Sequence, residues 1–133
     1  MKIHHIGIAT TGIDGASEVW GDLLGLQAVH TEDVPGQKVR VCILPVGESR
    51  LELLEPMSPD SPISKFLEMR GAGIHHIAVS VDDIRSVLND LKAKGARLID
   101  EEPRTGAGGC LVAFIHPSST GGVLLELVED PKP

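Results

Sequence analysis

Two histidine pairs and two glutamate-bearing segments are the residues of this 133-residue chain best equipped for chemistry. Ile3-His4-His5-Ile6-Gly7-Ile8-Ala9 returns as Ile74-His75-His76-Ile77-Ala78-Val79-Ser80, with the histidines 71 residues apart. Leu51-Glu52-Leu53-Leu54-Glu55 returns as Leu125-Glu126-Leu127-Val128-Glu129, 74 residues apart. Imidazole and carboxylate donors without thiolate suit Co²⁺, Ni²⁺, Mn²⁺, Fe²⁺ or Zn²⁺, and four of them on an octahedral ion leave room for two substrate oxygens. A carboxylate in mid-strand among leucines is costly to bury unless an opposite charge offsets it. Taken singly, a strand histidine is more often an ordinary polar residue, and a strand glutamate more often faces solvent. The recurrence of both types in matching places favours a cation.

The elements that must position these residues also repeat, which points to two copies of one unit. Each copy reads as strand, helix, then three strands. The first has a strand from Lys2 to Ala9 and a helix from Asp14 to Gly25, with Trp20 on its apolar side. Strands near Leu26 to Glu32, Val39 to Leu44 and Arg50 to Leu54 follow. The second has a strand from Ile74 to Val81 and a helix from Asp82 to Gly95. Its further strands lie near Ala96 to Glu101, Cys110 to Ile115 and Gly122 to Val128. The expected organisation is one domain of two βαβββ repeats, about 1–56 and 74–129. The linker 57–73 holds a short helix, Ile63 to Arg70.

Alternation along a strand sorts the histidines. His5 shares a face with Gly7 and Ala9, and His76 with Ala78 and Ser80, so both look into uncrowded space. His4 and His75 share the other face with branched residues suited to packing under a helix. Glu52 and Glu126 lie inside their strands.

Composition excludes several function classes. Aromatic residues are 2% of the chain and the net charge is −7, which argues against nucleic-acid binding by stacking or by a basic face. No segment approaches the apolar length of a membrane span, and no basic stretch leads into an N-terminal apolar run, so a soluble cytoplasmic protein is expected. Cys42 and Cys110 make no Cys-x-x-Cys pair and read as buried strand residues.

The ordered set of motifs resembles the vicinal oxygen chelate, or glyoxalase-like, superfamily, and within it the methylmalonyl-CoA epimerases. It runs through His4-His5-Ile6-Gly7-Ile8-Ala9, Leu51-Glu52-Leu53-Leu54-Glu55-Pro56 and Asp60-Ser61-Pro62-Ile63. It continues in Gly73-Ile74-His75-His76-Ile77-Ala78-Val79, Val81-Asp82-Asp83-Ile84 and Gly106-Ala107-Gly108-Gly109. His116-Pro117 and Gly122-Val123-Leu124-Leu125-Glu126-Leu127 complete it. The resemblance implies an α+β fold in which two tandem βαβββ modules form a curved mixed sheet enclosing a metal. It implies ligation by His5, Glu52, His76 and Glu126, with Co²⁺ favoured and Mn²⁺, Ni²⁺, Zn²⁺ or Fe²⁺ as alternatives. Some members carry Gln in place of the first-half carboxylate, so Glu52 is the most variable ligand.

The implied reaction inverts the α-carbon of methylmalonyl-CoA, in a homodimer that binds neither nucleic acid nor membrane. Inversion needs proton-carrying groups on both faces of the α-carbon. Glu126 is the first candidate, with Glu52 or Gln37 opposite. Gln37, a poor base, is better suited to positioning, and Val41 stands where some members carry Glu. Gly106, Gly108 and Gly109 approach a ligand or simply form a turn. His116 lies by the acyl group or simply ends a strand. Lys92, Lys94, Arg97 and Arg104 meet coenzyme A phosphates or are solvated surface charges. The competing readings are a glyoxalase I-type lactoylglutathione lyase and a non-catalytic small-molecule-binding member. The latter would want the aromatic walls this composition lacks.

Overall fold

The computed structural model describes all 133 residues, and the eight strands and three helices follow the duplicated order read from the sequence. Contacts divide the chain into two compact units. One is His5–His75; the other joins Met1–His4 to His76–Pro133.

In the first unit, which takes β1 (Lys2–Ala9) from His5 onward, the chain continues into α1 (Ile13–Leu24), β2 (His30–Val34), β3 (Val39–Val46) and β4 (Ser49–Pro56), followed by α2 (Pro62–Arg70). The strand order is β2-β3-β4-β1, with β1 parallel to β4 and the other neighbours antiparallel. A parallel return requires a crossover, and α1 with the β2–β3 hairpin supplies it. Ile8 and Trp20 pack against a core of Ile13, Cys42, Leu44 and Leu53, so Trp20 is the core residue its helical spacing suggests. Between β2 and β3, a one-turn 3₁₀ segment (Pro35–Gln37) ends at Lys38, whose φ is +56°. The Lys38 ammonium pairs with Asp60 of the linker, and with the Ser58 hydroxyl it holds the exposed Asp60 carboxyl down to about 2.

The second unit repeats the plan. Here β5 (Gly73–Ser80), α3 (Ile84–Ala93), β6 (Arg104–Thr105), β7 (Leu111–Ile115) and β8 (Leu125–Glu129) give the order β5-β8-β7-β6, with β5 parallel to β8. Ile84 and Leu88 of α3 close over Ala113, Ile115 and Leu127.

Three strands differ from expectation. The second strand of each repeat starts later, at His30 rather than Leu26, and at Arg104 rather than Ala96. Around Leu98 only an isolated bridge to Ile115 forms, because the Asp100 side chain takes the Phe114 N–H at 2.9 Å. A carboxylate there replaces the strand carbonyl. β8 begins at Leu125, since Gly121 and Gly122 adopt φ +69° and +103° and turn the chain just before it.

Both helices begin under a glutamate from the last strand of their own repeat. Glu55 Oε1 accepts from Ile13 N, and Glu129 Oε1 from Ile84 N, each at 3.0 Å. A carboxylate on the first N–H groups satisfies an orphan donor and meets the positive end of the helix dipole. α1 starts at Ile13, after Gly12, rather than at Asp14, which lies in its first turn.

Candidate functional site

Each unit carries one buried histidine–glutamate pair, built in the same way. In the first, β1 runs parallel to β4 with Gly7 opposite Glu52, which puts His5 and Glu52 on one face. His5 Nδ1 and Glu52 Oε2 are 3.0 Å apart. In the second, Ala78 stands opposite Glu126, and His76 Nε2 lies 3.0 Å from Glu126 Oε1. All four residues are nearly sealed from solvent, at 3%, 6%, 5% and 4% exposure respectively. Gly7 and Ala78 stand directly opposite the carboxylates, and Ala78 is fully buried in a cluster with Cys110, Val112 and Val128. Phe114, paired with Glu126 across β7 and β8, packs T-shaped against the His76 ring, with ring centroids 5.4 Å apart. The ring limits how far the imidazole can turn.

Each Leu-Glu-Leu-x-Glu segment thus sends its two carboxylates to opposite faces. Glu52 and Glu126 meet histidines, whereas Glu55 and Glu129, three residues on, cap helices. Spacing by three reverses the face in a strand. One short segment therefore supplies both a chemical group and a structural one.

Nitrogen and oxygen donors, buried in pairs among leucines and valines, fit a divalent cation of intermediate softness. A buried carboxylate is held at high electrostatic cost unless paired, and a cation bound by imidazole–carboxylate pairs lowers that cost.

The structure brings His5 to Glu52 and His76 to Glu126. Gln37 lies in the 3₁₀ turn between β2 and β3, outside both strands. Val41 is buried on the face of Glu52, since Ile43 pairs with Glu52 and Val41 with Leu54. Cross-strand pairing with Val41 places Glu32 of β2 on that same face, and His30 Nε2 holds Glu32 Oε1 at 2.8 Å. Glu32 was not singled out from the sequence, because a strand beginning at Leu26 gave no register against Val41.

The remaining candidates resolve into structure. His75 meets the edge of Phe66 from α2, with ring centroids 5.0 Å apart. His116 accepts from Ser118 N and caps a short 3₁₀ turn. Gly108 and Gly109 take φ +68° and +75°, so the turn reading suffices for them. Lys92 pairs with Glu101, and Arg104 with Asp100, at the surface.

Comparison with known proteins agrees with this geometry. A family model described as the Glyoxalase/Bleomycin resistance protein/Dioxygenase superfamily matches residues 4–114. A hypothetical protein from Bacillus halodurans C-125 superposes with TM-score 0.96 at 45% identity, over 99% of this chain and 96% of that one. Methylmalonyl-CoA epimerase from Mycobacterium tuberculosis superposes with TM-score 0.95 at 38% identity, covering 98% and 89%. The mitochondrial methylmalonyl-CoA epimerase of Homo sapiens is 39% identical over 95% of this chain and 72% of its own length. The chain belongs to the Glyoxalase/Bleomycin resistance protein/Dioxygenase superfamily and, within it, to the family of the methylmalonyl-CoA epimerases.

Proposed function

We propose that this chain is an isomerase that interconverts (R)- and (S)-methylmalonyl-CoA, with one divalent cation held by His5, Glu52, His76 and Glu126. The observation that carries the reading is the duplication of a buried imidazole–carboxylate pair at 3.0 Å, in the same strand register in both units. A bound cation, with Co²⁺ favoured, would supply positive charge where the thioester carbonyl oxygen gains negative charge.

The protein's own groups handle the proton. Glu126 accepts it as the α-carbon–hydrogen bond breaks and the electron pair moves into the thioester carbonyl. A carboxylic acid group of the first unit, in its protonated form, gives its proton to the opposite face, which inverts the centre and leaves that group ionised. Glu52 is the first choice for that role. Glu32 is the second, because it shares the face of Glu52 beside Val41 and is held by His30. Gln37 has no proton to exchange in this pH range and is left with positioning the substrate carboxylate. The homodimer suggested by the family likeness belongs to the same reading, with Val19, Leu23 and Leu24 on α1 exposing apolar surface.

The lyase alternative is separated by substrate. With the metal-loaded protein, turnover of methylmalonyl-CoA is expected, with kcat/KM at least about 10³-fold above that for the glutathione hemithioacetal of methylglyoxal. The reverse ranking would assign the chain to the lyase reaction.

A further inference from the structure

We propose that His4, Cys110 and Asp130 form a second cation site, distinguished from the histidine–glutamate pairs by its thiolate donor and suited to a thiophilic divalent ion such as Zn²⁺. The three donor atoms lie within 4.8 Å of one another. Both close approaches converge on one oxygen: His4 Nε2 is 3.2 Å and Cys110 Sγ 3.5 Å from Asp130 Oδ1. Tetrahedral zinc with bonds of about 2.0–2.3 Å has nitrogen–oxygen edges of about 3.3 Å and sulfur–oxygen edges of about 3.5 Å. Two of the three edges of such a tetrahedral face, nitrogen–oxygen and sulfur–oxygen, therefore already have these lengths.

The fold explains how such distant residues meet. Antiparallel pairing of β7 with β8 places Leu111 opposite Glu129, so one further step puts Cys110 opposite Asp130. The turn through Gly108 and Gly109 delivers Cys110 to that position, and Gly106 N bonds the Cys110 carbonyl at 2.8 Å. His4 comes from the start of β1, which belongs to the same compact unit. His4 and Cys110 are 4% and 8% exposed, whereas the Asp130 side chain is 59% exposed. Asp130 borders a cavity of about 680 Å³ that also reaches Asp82, Glu129 and the buried Ser80 hydroxyl, which has no hydrogen-bond partner. An ion can therefore enter from that side, and water from the cavity can fill its fourth position. Bound there, it would tie the start of β1 to the end of β8.

Thiolate is the feature that sets this site apart, because the histidine–glutamate pairs offer none. Co²⁺ added to stripped protein tests it directly, since sulfur-to-cobalt charge transfer absorbs in the near ultraviolet only when a cysteine ligates. The expected result is two equivalents of Co²⁺ per chain, one of them accompanied by that band. Cys110→Ser should abolish the band and one equivalent while retaining the other equivalent and turnover. Asp130→Asn, at an exposed position that leaves the core intact, should weaken the band-forming site at least tenfold. Wild-type protein that binds cobalt without the band, or a band that survives Cys110→Ser, would overturn the proposal. Loss of turnover with the band preserved would count against the epimerase reading alone.

Discussion

Glu126→Gln is expected to slow the epimerisation of methylmalonyl-CoA by about 10³-fold or more, roughly 4 kcal/mol of barrier. The substitution keeps the side chain's size, and its amide oxygen can still face the His76 ring. What it removes is the negative charge and the capacity to take a proton. Those are the two properties the reaction draws on, so the loss falls on kcat more than on KM. The neighbouring carboxylate supplies an internal comparison. Glu129→Gln changes a residue three positions along the same strand, on the opposite face, where it accepts from Ile84 N. It should cost about 1 kcal/mol of stability through the weakened helix cap and leave turnover near the wild-type rate. Steady-state kinetics with thermal melts on both variants check the contrast.

His76→Ala is expected to lower affinity for the catalytic cation at least about 10²-fold and to abolish turnover at ordinary metal concentrations. It also leaves Glu126, only 4% exposed, without its imidazole partner, a loss worth about 1–3 kcal/mol of stability. His75→Ala removes the adjacent ring, which packs against Phe66, and should retain the cation. Equal metal loss in the two variants would mean that alternation along β5 does not separate the chemical histidine from the structural one. Equilibrium dialysis with metal analysis distinguishes these outcomes.

Much of this arrangement was legible in the amino-acid order because a strand sorts its side chains by parity. Gly7 and Ala9 beside His5, with Ile6 and Ile8 beside His4, identify the open face. In the structure Ile8 packs against the α1 core and His5 meets Glu52, so the two parities are sorted to different partners. The repeat offsets relate Glu52 to Glu126 and the two histidine segments to each other, and the strand register then sets Gly7 and Ala78 opposite those glutamates.

What escaped was set by pairing between distant segments or by side chains replacing backbone. Nothing local says that the Asp100 carboxylate will take the Phe114 N–H and displace the expected strand to Arg104. Nor does local sequence show that Glu55 and Glu129 will cap helices more than forty residues earlier in the chain. The parity argument does contain a hint of that second fact: a glutamate three residues after a buried one must face the other side. Glu32 became visible only through the β2–β3 register. The meeting of His4, Cys110 and Asp130 depends on the β7–β8 register and on where β1 begins.

Hydrogen exchange at the α-carbon, followed in deuterated water with methylmalonyl-CoA, tests the central claim most directly. Chelator-stripped protein should wash in almost no deuterium while remaining folded, and one equivalent of Co²⁺ at the histidine–glutamate site should restore full exchange. Stripped, verified metal-free protein that exchanges at the full rate would contradict a role for His5, Glu52, His76 and Glu126 as a catalytic metal centre.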